Sequence, residues 1–259
     1  MYESELEATL YTIRLAAKMI SDGFSSVSYS VMKKEDGSVV TSIDKEVDTF
    51  IRHTLGIAFP TYGFLTEESK DDLTRIDKEF VWIIDPIDGT EEFVKREYEF
   101  VINIALCRNH EIILAAIMEP IRNELYYAVK GEGAYLIKDG VKQKIHVSRN
   151  LNKLTCLTSP YHMCFEEKEY LKEHAIKFNT IEYKGAAYKA CLIASGQADV
   201  SYRFSPYSKE WDTAAPQLLI EEAGGVFFDK NRNKITYNKK DVRNLDGFIM
   251  LNRIENYFD

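Results

Sequence analysis

Leu6, Leu10, Ile13, Ala17 and Ile20 recur at three- and four-residue spacing, which predicts an amphipathic helix ending near Asp22-Gly23. Val47, Ile51 and Leu55, placed between Asp44 and Pro60, predict a second helix. Residues 80–85, FVWIID, are an apolar run of strand formers that Pro86 is expected to stop. Four more strand-like runs, 101–107, 112–118, 124–129 and 134–137, are separated by short polar turns, which predicts an antiparallel meander. Beyond residue 150 the texture changes. Strand-like 154–158, 180–183, 199–203 and 226–228 alternate with helical stretches over 165–176, 187–195 and 211–223. The chain thus reads as an antiparallel-sheet half, 1–150, followed by an αβ half, 151–259. No Pro-, Gly- or Ser-rich linker divides them, so one compact catalytic-sized unit is expected.

Charge narrows the choice of partner. Forty-one acidic and 33 basic side chains give −8, with no long basic run, so no long nucleic acid is expected as a partner. An acidic chain that handles anions would need cations to mediate. Cys107, Cys156, Cys164 and Cys191 form no C-x-x-C pair, which predicts reduced thiols and a cytoplasmic location. The acidic start, Met1-Tyr2-Glu3-Ser4-Glu5, does not resemble an export signal, and no apolar stretch approaches the roughly 20 residues of a membrane span.

The most informative stretch is Asp85-Pro86-Ile87-Asp88-Gly89-Thr90. Two carboxylates three positions apart on a Pro-kinked turn can converge on one hard cation. Gly89 permits a sharp turn, and Thr90 starts a short helical stretch whose free N–H groups make a phosphate cradle. Alone, Asp85 and Asp88 would equally serve as an Asx turn and a helix cap. Asp44 and Asp212 would each serve as caps, and Glu67-Glu68 as a solvated helix start. Taken together, in this order, the groups carry more weight than any one of them.

Asp44, Glu67-Glu68, DPIDGT, Trp211-Asp212 and Gly224-Gly225 reproduce the pattern D…EE…DP(I/L)DGT…WD…GG. The chain therefore resembles, over essentially its whole length, the inositol monophosphatase superfamily of magnesium-dependent, lithium-sensitive phosphatases. The resemblance implies an αβαβα layered sandwich with the active site between the halves. It implies that Glu67, Asp85, the Ile87 carbonyl, Asp88 and Asp212 hold two or three Mg²⁺, oxygen ligands that suit a hard cation. It also implies that Thr90 and Glu67 hold the attacking water, with Asp44 directed at Thr90, and that no phospho-enzyme forms. Glu68 would touch a further cation or tune Glu67. The phosphate itself would lie against Asp88, Gly89, Thr90 and Asp212.

The flanks bear on the substrate. Residues 91–106, EEFVKREYEFVINIAL, resemble the DGTKEFIKRxGEFxVNIAL run of CysQ-type 3′(2′),5′-bisphosphate nucleotidases, and residues 189–199 and 202–206 (KACLIASGQAD, YRFSP) resemble their KxCLxAxGxAxxYxRFGP. Inositol-specific members carry Glu at the position of Arg203. A guanidinium there suits a second phosphate. The expected substrate is adenosine 3′,5′-bisphosphate, with Lys34, Lys184 and Arg203 on the remaining phosphate and Gly185 allowing the nucleotide to approach. Glu91 and Pro216 depart from the Lys and Gly of the pattern, and the segment from Arg203 to Trp211 is one residue longer. An inositol or sugar phosphatase, and a catalytically idle nucleotide or metal sensor, are the alternatives. A homodimer stays open.

Overall fold

The first stripe of the chain becomes α1 (Glu3–Ser26) in the computed structural model, which describes residues 2–26, 29–34, 37–159 and 161–258. A small hairpin of β1 (Val31–Lys33) and β2 (Val39–Thr41) leads into α2 (Ser42–Ala58). α1 does not stop at Asp22-Gly23 as expected. A Cβ on Gly23 would fall 1.9 Å from Ile43 Cδ1, so this glycine lets two helices pack closely within a continuing α1. Thr41, not Asp44, is the N-cap of α2, and Asp44 is its capping-box partner in the first turn.

β3 (Gly63–Thr66) and β4 (Phe80–Asp88) come next in the chain, then the short helix α3 (Thr90–Val94). The expected meander is present as β5 (Val101–Arg108), β6 (Glu111–Glu119), β7 (Glu124–Val129) and β8 (Gly133–Lys138), and β9 (Val141–Ile145) extends it. These seven strands form one sheet in chain order. β3 runs parallel to β4, and every other neighbouring pair is antiparallel. Pro86 does not end β4. The ladder jumps from Asp85 opposite Asn103 to Asp88 opposite Val101, and the proline, which has no N–H to contribute, falls in that bulge. β9 (VKQKI) escapes the sequence pattern because it is an edge strand with four of its five residues exposed.

The second sheet collects β10 (Leu154–Thr158), β11 (Phe178–Tyr183), β12 (Val200–Arg203), β13 (Val226–Phe228) and β14 (Phe248–Leu251), with α4 (Phe165–Glu173), α5 (Tyr188–Ala194) and α6 (Glu210–Glu222) between them in sequence. Its strand order is β11-β10-β12-β14-β13, and β14 is a strand that the sequence pattern does not assign. α6 runs straight through Pro216, which lies in its middle.

Three apolar clusters define the layers. Ile13, Ile20, Val47 and Ile51 of α1 and α2 meet Trp82, Ile84, Ile102 and Leu106 on one face of the first sheet. Val81, Ile83, Ala105 and Ala115 on its other face meet Ala190 and Ile193 of α5 and Leu218 and Leu219 of α6, which also reach Met250 of the second sheet. Leu154, Cys156, Val200 and Ile249 then face Leu171 of α4. The result is the expected layered αβαβα sandwich. Because both faces of the first sheet are covered, its central strands read as unbroken apolar runs without alternation.

A buried polar link joins the segment after β3 to the start of α6. Arg75, 1% exposed, donates to Asp71 (2.7 Å), Asn238 Oδ1 (2.7 Å) and the Lys239 carbonyl (2.9 Å). The N–H groups of Asn238 and Lys239 in turn bond Glu210 at 2.7 and 2.9 Å. Arg75→Ala is expected to cost about 3 kcal/mol, since it strands buried partners of a charged group. Urea denaturation checks this, and a loss under about 1 kcal/mol would show that the link does not hold the two segments.

Candidate active site

The parallel pairing of β3 with β4 ends both strands at the same edge, so the residues just past β3 lie beside the last residues of β4. Glu67 N–H bonds the Ile84 carbonyl at 3.2 Å, which delivers the Glu67 carboxylate next to Asp85. α6 packs on the same part of the sheet and brings Asp212 in its first turn. One oxygen from each of Glu67, Asp85 and Asp212 lies within 4.8 Å of the others.

The aspartates of this region each make a structural bond that leaves part of the carboxylate available. Asp85 Oδ1 accepts from Ile87 N (3.1 Å), the Asx turn that its position allows. Asp212 Oδ2 accepts from Lys209 N (2.7 Å) as a capping box. Asp88, at the end of β4 but outside the tight group of three, accepts through Oδ2 from Ala187 N (2.7 Å) and Asn103 Nδ2 (3.1 Å). Asn103 also reaches the Trp211 carbonyl at 3.4 Å, tying β5 to the start of α6. Capping and convergence on one point are therefore not exclusive readings of these residues.

Asp44 and Thr90 meet as well. Thr90 Oγ1 lies 3.0 Å from Asp44 Oδ1 and 3.0 Å from the Ile87 carbonyl, while Asp44 Oδ2 accepts from Thr41 N at 2.8 Å. Gly89 adopts φ 97°, the left-handed turn that starts α3, and a Cβ there would sit 3.2 Å from each of Ala186 Cβ, Glu99 O and Phe100 Cα.

Burial pushes the Asp85 carboxyl well above the usual range, and Glu67, Asp88 and Asp212 push it further. Burial, then Asp88 and Glu67, raise Asp212 to about 8. Burial also raises Asp88, against the opposing pull of Ala187 N–H and Lys189. It raises Asp44 against the bonds from Thr41 and Thr90. Crowded, dehydrated carboxylates of this kind gain from a hard cation, and the donors are all oxygen, so the residues fit Mg²⁺.

A cleft of about 730 Å³ opens over the group and is lined by Glu67, Asp85, Asp88, Thr90, Arg203 and Asp212, among others. Lys34, Lys184 and Gly185 do not line it. The Lys34 ammonium bonds Glu67 Oε1 at 2.7 Å and Glu68 Oε1 at 2.5 Å, and burial lifts the Glu68 carboxyl to about 7. Lys184 and Gly185 turn to Glu99. Arg203 donates to the His162 carbonyl at 2.6 Å.

Sequence reasoning assigns no role to Asn103 or Lys189. Lys189 is buried in α5, bonds the carbonyls of Ala186 (2.8 Å) and Lys184 (3.2 Å), and is lowered by burial to about 8 with Asp88 opposing. A lone lysine in the otherwise apolar stretch YKACLIA is the signal that marks it.

The chain is similar to known proteins over most of its length. The 3′(2′),5′-bisphosphate nucleotidase CysQ of Aggregatibacter actinomycetemcomitans is 33% identical over 232 residues, 88% of this chain and 85% of that protein. An inositol monophosphatase of Dictyostelium discoideum is 32% identical over 247 residues, 92% of this chain and 89% of that one. The crystal structure of CysQ from Bacteroides thetaiotaomicron superposes with a TM-score of 0.84 at 30% identity, covering 97% of this chain and 98% of that one. The model of the inositol monophosphatase family matches residues 2–247. With that match, the layered sandwich and the carboxylate group at its seam, the chain belongs to the inositol monophosphatase family of phosphatases.

Proposed function

We propose that this phosphatase hydrolyses the 3′-phosphate of adenosine 3′,5′-bisphosphate, giving AMP and phosphate. The observation that carries the reading is Arg203 in the same cleft as the carboxylates, where a doubly phosphorylated substrate would set its second phosphate. One N–H of the guanidinium holds His162 O, and the remainder of the fork suits phosphate oxygens. The CysQ relatives, named as bisphosphate nucleotidases, support it. The Dictyostelium relative, named an inositol monophosphatase, supports the alternative. Comparing phosphate release from adenosine 3′,5′-bisphosphate and inositol 1-phosphate decides between them, and Mg²⁺-dependent release from either dismisses an idle sensor.

Glu67, Asp85 and Asp212 would hold Mg²⁺, with Asp88 and the Ile87 carbonyl completing the set. When bound, the ions supply Lewis acidity toward the phosphoryl and leaving oxygens. Thr90 commits its proton to Asp44 or to Ile87 O and turns a lone pair toward a water, which Glu67 steadies from the other side. As the water oxygen attacks phosphorus, its proton passes to Thr90 and the proton of Thr90 to Asp44, whose raised carboxyl suits that role. The bond from phosphorus to the ribose 3′-oxygen breaks opposite the incoming water, and the departing oxygen takes a proton from a solvent water to leave as the 3′-hydroxyl of AMP.

Asp88→Asn should lower turnover at least about 100-fold, beyond the usual cost of losing an outer partner, with circular dichroism unchanged. Wild-type activity in that variant would end the assignment of Asp88 to Mg²⁺. Arg203→Glu should raise KM for the bisphosphate about 30-fold, the worth of one charged hydrogen-bonding group, and leave KM for inositol 1-phosphate level or lower. Equal effects on both substrates would remove Arg203 from substrate selection.

The raised carboxyls also set a dependence on pH. Asp212 near 8, and Glu92 and Glu210 near 7, bind protons more tightly folded than unfolded, where carboxyls titrate near 4. Their stabilising contribution is complete below the unfolded values and is lost as pH rises through about 8. Thermal denaturation should therefore show Tm falling from about pH 6 to about 8.5 without divalent cation, and a larger rise on adding Mg²⁺ at the higher pH than at the lower. An equal rise at both would contradict binding to the ionised group.

A further inference from the structure

Of residues 184–187, Ala186 and Ala187 line the cleft and Lys184 and Gly185 do not, and the Ala187 N–H donates to Asp88 Oδ2. Glu99 holds that segment. Its carboxylate accepts from the Gly185 N–H through Oε2 at 2.8 Å and from the Lys184 ammonium through Oε1 at 3.0 Å. On the far side, the Lys184 N–H bonds the Thr158 carbonyl of β10 at 2.9 Å, so the segment is fixed at two points.

The backbone of Glu99 is the wedge between this segment and the DPIDGT turn. A Cβ on Gly185 would lie 2.5 Å from Glu99 O and 2.9 Å from Glu92 Oε1, and one on Gly89 would lie 3.2 Å from the same Glu99 carbonyl. Glu99 also sits two residues before Val101, the ladder partner of Asp88. One residue thus touches both sides of the junction at which Asp88 receives its N–H.

We propose that Glu99 is a positioning residue of the phosphatase site: by gripping Lys184 and Gly185 it sets the Ala187 N–H, which fixes one oxygen of Asp88 and aims the other at the cation. This rests on the reading of Asp88 as a magnesium ligand. Glu99 does not line the cleft, so it acts through Asp88 without touching the substrate. Outer partners that orient a ligand are worth about 10- to 100-fold in metal affinity or activity.

The test is isothermal titration of the whole protein with MgCl₂ alone, together with kcat and KM for adenosine 3′,5′-bisphosphate, in wild type, Glu99→Ala, Glu99→Gln and Glu99→Asp. Glu99→Ala should weaken Mg²⁺ binding about 10-fold and lower kcat by a similar factor. KM should stay within about 2-fold, because the contacts to substrate are intact. Glu99→Gln, which keeps an acceptor for the Gly185 N–H at full reach, should recover most of the loss. Glu99→Asp, one methylene short, should not. Unchanged Mg²⁺ affinity in Glu99→Ala overturns the proposal, and so does a rise in KM without loss of Mg²⁺ affinity, which would make Glu99 a substrate contact. If the alanine variant does not fold, the order of Gln over Asp decides, and the reverse order overturns it. Identical Mg²⁺ titrations of wild type and Asp88→Asn would instead remove the magnesium reading of Asp88, and the role of Glu99 falls with it.

Discussion

Everything in this fold is arranged around the repulsion among Glu67, Asp85 and Asp212. Three carboxylates drawn from the end of one strand, the loop after its parallel neighbour and the first turn of a distant helix are brought within 4.8 Å, with Asp85 almost fully removed from water. Such a cluster opposes folding unless protons or cations neutralise it. The protein tolerates it because the sheet, the packed helices and a shell of backbone N–H donors hold the carboxylates where they are. The ammonium of Lys34 on Glu67 and Glu68 adds positive charge at the border.

That arrangement explains the unusual first pair of strands. If β3 ran antiparallel to β4 like the rest of its sheet, Glu67 would be carried to the far edge, away from Asp85. The parallel pairing needs a long return between Thr66 and Phe80, and that return contains Arg75, which fastens it through Asn238 to Glu210 at the head of α6. The connection that parallel topology demands thus also secures the helix that supplies Asp212. α2 and α3 complete the scheme by starting beside each other, so that Asp44 and Thr90 meet at the ends of separate elements.

Most elements are legible from local pattern, and those that are missed have local causes. The central strands and the α1 and α2 stripes declare themselves by burial. β9 does not, because an exposed edge needs no apolar face, and Pro86 misleads because a bulge accommodates what a regular ladder rejects. The carboxylates of the site are legible as a set because their order and spacing are constrained by one cluster. Lys34, Lys184 and Gly185 show the limit: a basic or small residue near a site in sequence carries no direction. Lys34 turns to Glu67 and Glu68, while Lys184 and Gly185 turn to Glu99, partners that only the tertiary structure selects. Asn103 and Lys189 are hidden for the complementary reason, since each is flanked within its element by buried apolar residues that serve the core.

The edge strand β9 has a consequence for the molecule in solution. A seven-stranded sheet that ends on an open strand offers its unpaired N–H and C=O groups to any extended chain nearby. Here that strand carries Lys142 and Lys144, and the Lys142 ammonium lies 4.3 Å from the centre of the Tyr135 ring. In a chain whose total charge is −8, positive charge is thereby concentrated where another copy would have to align its own identical edge. Like charges on two such edges oppose edge-to-edge pairing of copies, which is how lysines blunt an edge strand in other sheets.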